Sequence, residues 1–283
     1  MEYNFKYKNE EEVFVVREEK GVTFLQFQGL NQCEIIEHGF STRIGGVSEG
    51  IFSSMNLSYT RGDKEDAVTE NFKRFAAAMG VECENYVFSD QTHTTNIRVV
   101  TEKDRGKGFT KDRDYTDIDG LVTNVKGLVL STFYADCVPL YFVDSKRKAI
   151  GLAHSGWKGT VGEIGRKIIE TMEKEYGSKA EDILVAIAPS ICRKCYEVSE
   201  DVASEFMKIF PKEEWVKIMD DKGNGKYQLD LWESNKKILL RSGILKEHLF
   251  VTNLCTCCNS ELLFSHRASQ GKRGNLGAFL MLK

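Results

Sequence analysis

Two strand-like runs separated by three polar residues constrain this chain more than any other feature. Val138–Asp144 and Lys148–His154 flank the turn Ser145-Lys146-Arg147. Runs of this kind, joined by so short a polar break, fold back as an antiparallel hairpin. If Asp144 faces Lys148, His154 falls opposite Val138. A one-residue slip in the turn still leaves Cys137 and His154 as neighbours at the open end. Opposed residues have Cβ atoms roughly 4.5–5.5 Å apart, close enough for both side chains to meet one metal ion. Thiolate and imidazole are preferred donors for zinc.

A third ligand has to come from elsewhere, and the chain holds five histidines: His38, His93, His154, His248 and His266. His93 lies in the polar loop Asp90-Gln91-Thr92-His93-Thr94-Thr95, which has no apolar face to bury. His38 opens a strand, His266 sits in Phe264-Ser265-His266-Arg267, and His248 follows Lys246-Glu247 as a surface residue. Position favours His93, with His38 and His266 as competitors. Copper also accepts a His₂Cys set, but five histidines are too few to add the trinuclear cluster of a multicopper oxidase. Without metal, Cys137 and His154 would suit a cysteine hydrolase.

Residues around this pair suggest further roles. Asp136 is the candidate general acid or base. That role requires Asp136 to lie outside the strand, since successive strand residues point to opposite faces. Gly156-Trp157-Lys158-Gly159 opens a helix from about Thr160, where backbone amides and Lys158 would attract an anion such as phosphate. Arg43, before Gly45-Gly46, suits an anion or carbonyl contact. Cys192-Arg193-Lys194-Cys195 and Cys255-Thr256-Cys257-Cys258 could close a four-thiolate zinc site. Only the first half has the usual spacing and neither sits on an evident zinc knuckle, so these cysteines are read as lining a wall near the site or packing inside.

The rest of the chain bounds the class. Strand runs are expected at Val13–Val16, Val22–Phe27, Tyr86–Phe88, Ile97–Val100, Leu128–Tyr134, Ile183–Ile187, Leu249–Thr252 and Ala278–Leu282. Helical spacing appears from Val68 to Met79, stopping at Gly80, and from Val161 to Tyr176, stopping at Gly177. Two more helices are expected after the caps Ser199 and Asp230. Three well-separated prolines and no linker composition among 283 residues predict a single α/β (α+β) domain, residues 1–283, with mixed sheets and helices outside. Lys+Arg 39 against Asp+Glu 42 gives net −3, which disfavours nucleic acid or an anionic membrane as partner. The longest apolar stretch is broken by Asp136 and Pro139, so no membrane helix is expected. A charged N-terminal segment without an export signal, and eight cysteines, predict the cytoplasm and reduced thiols.

Several ordered blocks then resemble one family: His38-Gly39-Phe40-Ser41-Thr42-Arg43 with Gly45-Gly46, Asn56-Leu57-Ser58, Gln91-Thr92-His93, Asp119-Gly120-Leu121-Val122-Thr123, Ala135-Asp136-Cys137-Val138-Pro139, His154-Ser155-Gly156-Trp157-Lys158-Gly159, Cys195-Tyr196-Glu197-Val198, and Cys255-Thr256 before Phe264-Ser265-His266-Arg267. From about residue 35 onward the chain is similar to the YfiH/YlmD family, formerly multicopper polyphenol oxidases and now described as purine nucleoside phosphorylases. The resemblance implies zinc held by His93, Cys137 and His154. It also implies phosphorolysis of adenosine, inosine, guanosine and methylthioadenosine, with adenosine deamination. Arg43, Asn56, Lys158 and Arg267 are then the expected substrate or phosphate contacts. Ser155 and His266 depart from the usual alanine and tyrosine. A monomer or weak homo-oligomer acting on small molecules is expected.

Overall fold

The computed structural model describes residues 3–283. Its strands form two six-stranded sheets and one small sheet. The first runs β1 (Phe14–Glu19), β2 (Val22–Phe27), β3 (Ile36–Ser41), β15 (Leu276–Leu282), β7 (Val129–Tyr134), β4 (Tyr86–Phe88). The second runs β14 (Leu249–Val251), β10 (Leu184–Ile187), β8 (Val138–Asp144), β9 (Ala149–Ser155), β6 (Gly120–Thr123), β5 (Ile97–Val99). The third pairs β13 (Lys226–Leu229) with β11 (Glu197–Ser199) and β12 (Met219–Gly223). Helices are α1 (Gln28–Asn31), α2 (Glu65–Met79), α3 (Trp157–Val161), α4 (Ile164–Tyr176), α5 (Glu200–Ile209), α6 (Trp215–Ile218) and α7 (Leu231–Arg241). No helix among the described residues is long and apolar enough to cross a membrane.

The layering follows from burial on both faces of the central strands. In β8, Leu140 and Phe142 join a core with Ile168 of α4 and Leu239 of α7, while Tyr141 and Val143 join a second core between the two large sheets. A strand covered on both faces must read as a continuous apolar run, and β8 and β9 are buried at every position. A third core packs Val68, Phe72 and Phe75 of α2 on the outer face of the first sheet. The order is helix, sheet, sheet, helices: a mixed α/β single domain, as the composition and strand count predicted.

The β8–β9 hairpin forms in a register one residue from the simplest one. Asp144 pairs with Ala149 and Pro139 with His154, because Lys148 takes a left-handed conformation (φ 52) and joins the turn. The Asp144 carboxylate accepts bonds from the amides of Lys146 (2.9 Å) and Arg147 (3.0 Å), which closes the loop. The helix expected from Val161 is divided: Glu163 is left-handed (φ 54) and separates α3 from α4. Helix α4 lies directly on β9, since a Cβ on Gly151 would come within 2.9 Å of Ile168 Cγ2.

Candidate functional site

Three chain segments converge where β7 hands over to β8. Between them Asp136 is left-handed (φ 88), so Cys137 stands at the rim of the sheet just before β8 begins. His154 is the penultimate residue of β9 and 3% exposed. His93, also left-handed (φ 66), projects from the loop after β4 and is exposed. Cys137 Sγ and His93 Nε2 are 3.9 Å apart, and the His93 and His154 ring centroids are 4.8 Å apart at 78°. One ligand atom from each of the three falls within 4.8 Å of the others, so they could hold a metal ion. Gly156 closes the floor: a Cβ there would sit 2.9 Å from His93 Cδ2 and 3.1 Å from Cys137 Sγ. His38 does not compete. It is buried in β3 with its Nε2 accepting the Phe27 amide at 2.8 Å.

Asp119 organises this arrangement, a role that sequence reasoning missed. It is fully buried just ahead of β6. Its Oδ1 meets His154 Nδ1 at 2.7 Å and accepts the His93 amide at 3.1 Å. Its Oδ2 accepts the amides of Thr92 (3.1 Å) and Thr94 (2.8 Å). One carboxylate thus sets the His93 loop and fixes the tautomer of His154, leaving Nε2 to face Cys137. Burial opposes ionisation of Cys137, but the His154 charge and hydrogen bonds from both histidines outweigh it and pull the thiol down to about 6. Burial likewise opposes protonation of His154, yet Cys137 and Asp119 hold it up at about 9. Each of the two therefore favours the charged form of the other.

A cleft of about 890 Å³ opens over the three residues. Phe109 and Phe133 give it apolar wall; Arg61, Arg113 and Arg273 give it positive charge. Arg273 is buried and its Nε has no partner. Burial, then the neighbouring Arg61, lowers its pKa to about 10, which keeps it charged at neutral pH.

The expected anion holders lie elsewhere. Arg43 donates to the carbonyls of Ser53 (2.7 Å) and Ser260 (2.8 Å) and stacks on Phe264. Asn56 is buried, bonded to Asp63 and to the Asn275 amide. Lys158 is exposed, its ammonium 5.7 Å from the Trp157 ring. Arg267 spends its guanidinium on the carbonyls of Cys195 and Glu197. None of these four lines the cleft. Arg43, Asn56 and Arg267 are held by groups that the linear sequence does not bring near them. Asp136 is also corrected. Its carboxylate accepts Thr256 Oγ1 (2.6 Å) and the Arg267 amide (2.7 Å), which anchors the Cys137 turn, and it does not line the cleft. Asp119 lay within a recognised block but obeys no spacing rule. Arg273 follows the Phe264-Ser265-His266-Arg267 block by six residues and belongs to no motif read from the sequence.

Residues 37–283 match a family model described as multi-copper polyphenol oxidoreductase laccase. Purine nucleoside phosphorylase YlmD of Bacillus subtilis is 38% identical over 257 residues, covering 89% of this chain and 90% of that protein. The crystal structure of YlmD from Geobacillus stearothermophilus superposes with a TM-score of 0.89 at 34% identity, covering 96% of this chain and 100% of the other. That of the Bacillus licheniformis hypothetical protein YfiH gives 0.88 at 36% identity, covering 95% and 99%. The chain belongs to the multi-copper polyphenol oxidoreductase laccase family, the YfiH/YlmD family that its sequence blocks resemble.

Proposed function

We propose that the chain is a zinc-dependent purine nucleoside phosphorylase, acting on adenosine, inosine, guanosine and methylthioadenosine, that also deaminates adenosine. The observation that carries this reading is the meeting of two imidazoles and a thiolate under a cleft with an apolar wall and three arginines. The donor set fits zinc: one sulfur and two nitrogens, a carboxylate behind His154, and an open fourth side toward the cleft. Bound there, zinc supplies Lewis-acid polarisation and the activation of water. A multicopper oxidase would need more histidines at the site, and His38 in β3 and His248 before β14 are placed elsewhere in the fold.

The chain's own residues account for binding and orientation. Phe109 and Phe133 offer faces for the purine, while Arg273, with its free Nε, and Arg61 hold phosphate. A phosphate oxygen bonds to ribose C1′, the C1′–N9 bond breaks with its electron pair going to the base, and the base takes the proton that hydrogenphosphate gives up, leaving free base and ribose 1-phosphate. Asp119 keeps the His154 proton on Nδ1 so that Nε2 stays turned to the site. The chain's −3 net charge agrees with small-molecule substrates, and the cleft arginines supply local attraction.

The test is chromatography of products from adenosine and inosine, with and without phosphate. Free base with ribose 1-phosphate, formed only when phosphate is present, is expected from both. Inosine formed from adenosine would report deamination. Cys137→Ser is expected to lose both activities. Absence of phosphate-dependent cleavage by metal-replete protein would overturn the reading.

A further inference from the structure

Apart from His93, Cys137 and His154, the described residues hold one further cluster of metal-ligating side chains. Cys192, Cys195, Cys255 and Cys258 each place a sulfur within 4.8 Å of the other three. The spacing that looked irregular in sequence resolves here. Cys255 and Cys258 form the pair, and Cys257 between them stays outside the cluster. Both halves are therefore Cys-x-x-Cys turns. The first follows β10 and the second follows β14, its parallel neighbour. The pairing continues past the strands as a bridge between Ser190 and Cys255, with the Thr256 amide donating to the Ser190 carbonyl at 3.1 Å. Two short turns are thereby clamped face to face.

We infer that these four cysteines bind a second zinc ion in a closed four-thiolate site that ties the two turns together. Tetrahedral thiolates at a zinc–sulfur distance of about 2.3 Å stand roughly 3.8 Å apart. Cys195 Sγ and Cys258 Sγ are already 3.5 Å apart. The surroundings suit thiolates. The amides of Cys192 (3.2 Å) and Cys258 (3.4 Å) donate to Cys255 Sγ, and Lys8 Nζ lies 3.0 Å from Cys258 Sγ. The lysine offsets part of the negative charge that four thiolates leave on a divalent ion. Cys255 is fully buried and Cys192 is 5% exposed. Four protein donors leave no open position, which marks a structural centre and not a second catalytic one.

The clamp stands behind the site already described. The Ile191 amide donates to the Asp136 carbonyl (3.0 Å), Thr256 Oγ1 donates to the Asp136 carboxylate, and Arg267 reaches back to the Cys195 carbonyl (3.1 Å). Holding the two cysteine turns together therefore holds the left-handed residue that presents Cys137. The ion would act by positioning, and its loss would loosen the turn without removing a ligand from the other centre.

Metal content decides the matter independently of enzymatic activity. Protein grown with zinc and measured by native mass spectrometry and elemental analysis is expected to carry about two zinc ions per chain. The Cys195→Ser/Cys258→Ser variant should carry about one and unfold at a lower temperature, while Cys137→Ser should also carry about one. The zinc retained by Cys137→Ser is read whether or not the protein cleaves nucleosides, so this inference and the phosphorylase reading fail separately. Should the double serine variant not fold, wild-type protein grown on cobalt supplies the answer. Intense sulfur-to-cobalt charge-transfer absorption that persists in Cys137→Ser is expected. The inference is overturned by cobalt-grown Cys137→Ser without that absorption or by Cys137→Ser without zinc. It is equally overturned by iron in place of zinc, or by a mass two daltons low with two fewer titratable thiols, which would mean a disulfide.

Discussion

Asp119 and His38 are both buried beside imidazole chemistry, yet they act in opposite directions. Asp119 gathers three successive amides and the His154 ring, so its loss should disturb the His93, Cys137 and His154 arrangement more than the core. Asp119→Asn keeps the shape but weakens the acceptor. Zinc affinity at the His93/Cys137/His154 site is expected to fall roughly 10–100-fold, read by titration against a competing chelator; unchanged affinity would show that Asp119 only packs. His38 instead resists its proton. Burial, and after it the Lys283 charge, lowers its pKa from 6.5 to about 3. The unfolded chain takes up that proton as pH falls through 6.5 and the folded chain does not, so stability drops between pH 6.5 and 3. The slope is at most about 1.4 kcal/mol per pH unit from this one group. His38→Gln, which retains an acceptor for the Phe27 amide, should flatten the acid limb of urea midpoints measured across that window. Parallel limbs for the two proteins would refute the assignment.

At the scale of elements, the hairpin shows what a linear reading can and cannot reach. Its two apolar runs were legible because both faces of β8 and β9 are covered, and the chemistry at its open end followed from strand pairing. Strand β3 is legible only from His38, because Glu37, His38 and Gly39 break its apolar run, and β12 is almost wholly polar and offers no run to recognise. The arginines failed for a related reason. Arg43 and Arg267 lie next to informative motifs, but their guanidiniums turn to carbonyls contributed by residues 10 to 217 positions away. Gly156 belongs to the hairpin's exit, and its φ of −71 would admit any residue. What excludes a side chain there is contact alone, with His93 and Cys137. Gly156→Ala is therefore expected to cost about 1–3 kcal/mol at most, while phosphorolysis drops by more than about tenfold through displaced ligands. A variant with full turnover and a normal thermal midpoint would show that the floor can yield.

Across the whole molecule, the two groups of side chains that could hold a metal ion are linked through the turn at Asp136. His93, Cys137 and His154 face the cleft, and the four-cysteine cluster lies behind the turn at Asp136. The turn after β7 that carries Cys137 is hydrogen-bonded through Asp136 to the loops after β10 and β14 that carry the four cysteines, so ordering one set of loops orders the other. A different consequence comes from β15, which contributes residues 276–282 yet lies in the middle of the first sheet, antiparallel to both β3 and β7. During synthesis on a ribosome, β3 and β7 emerge long before the strand that separates them. Each must wait with an open edge, and neither half of that sheet can complete its hydrogen bonding until the last strand clears the exit tunnel. Its half-made state therefore carries two unsatisfied strand edges that stand ready to pair with the wrong chain.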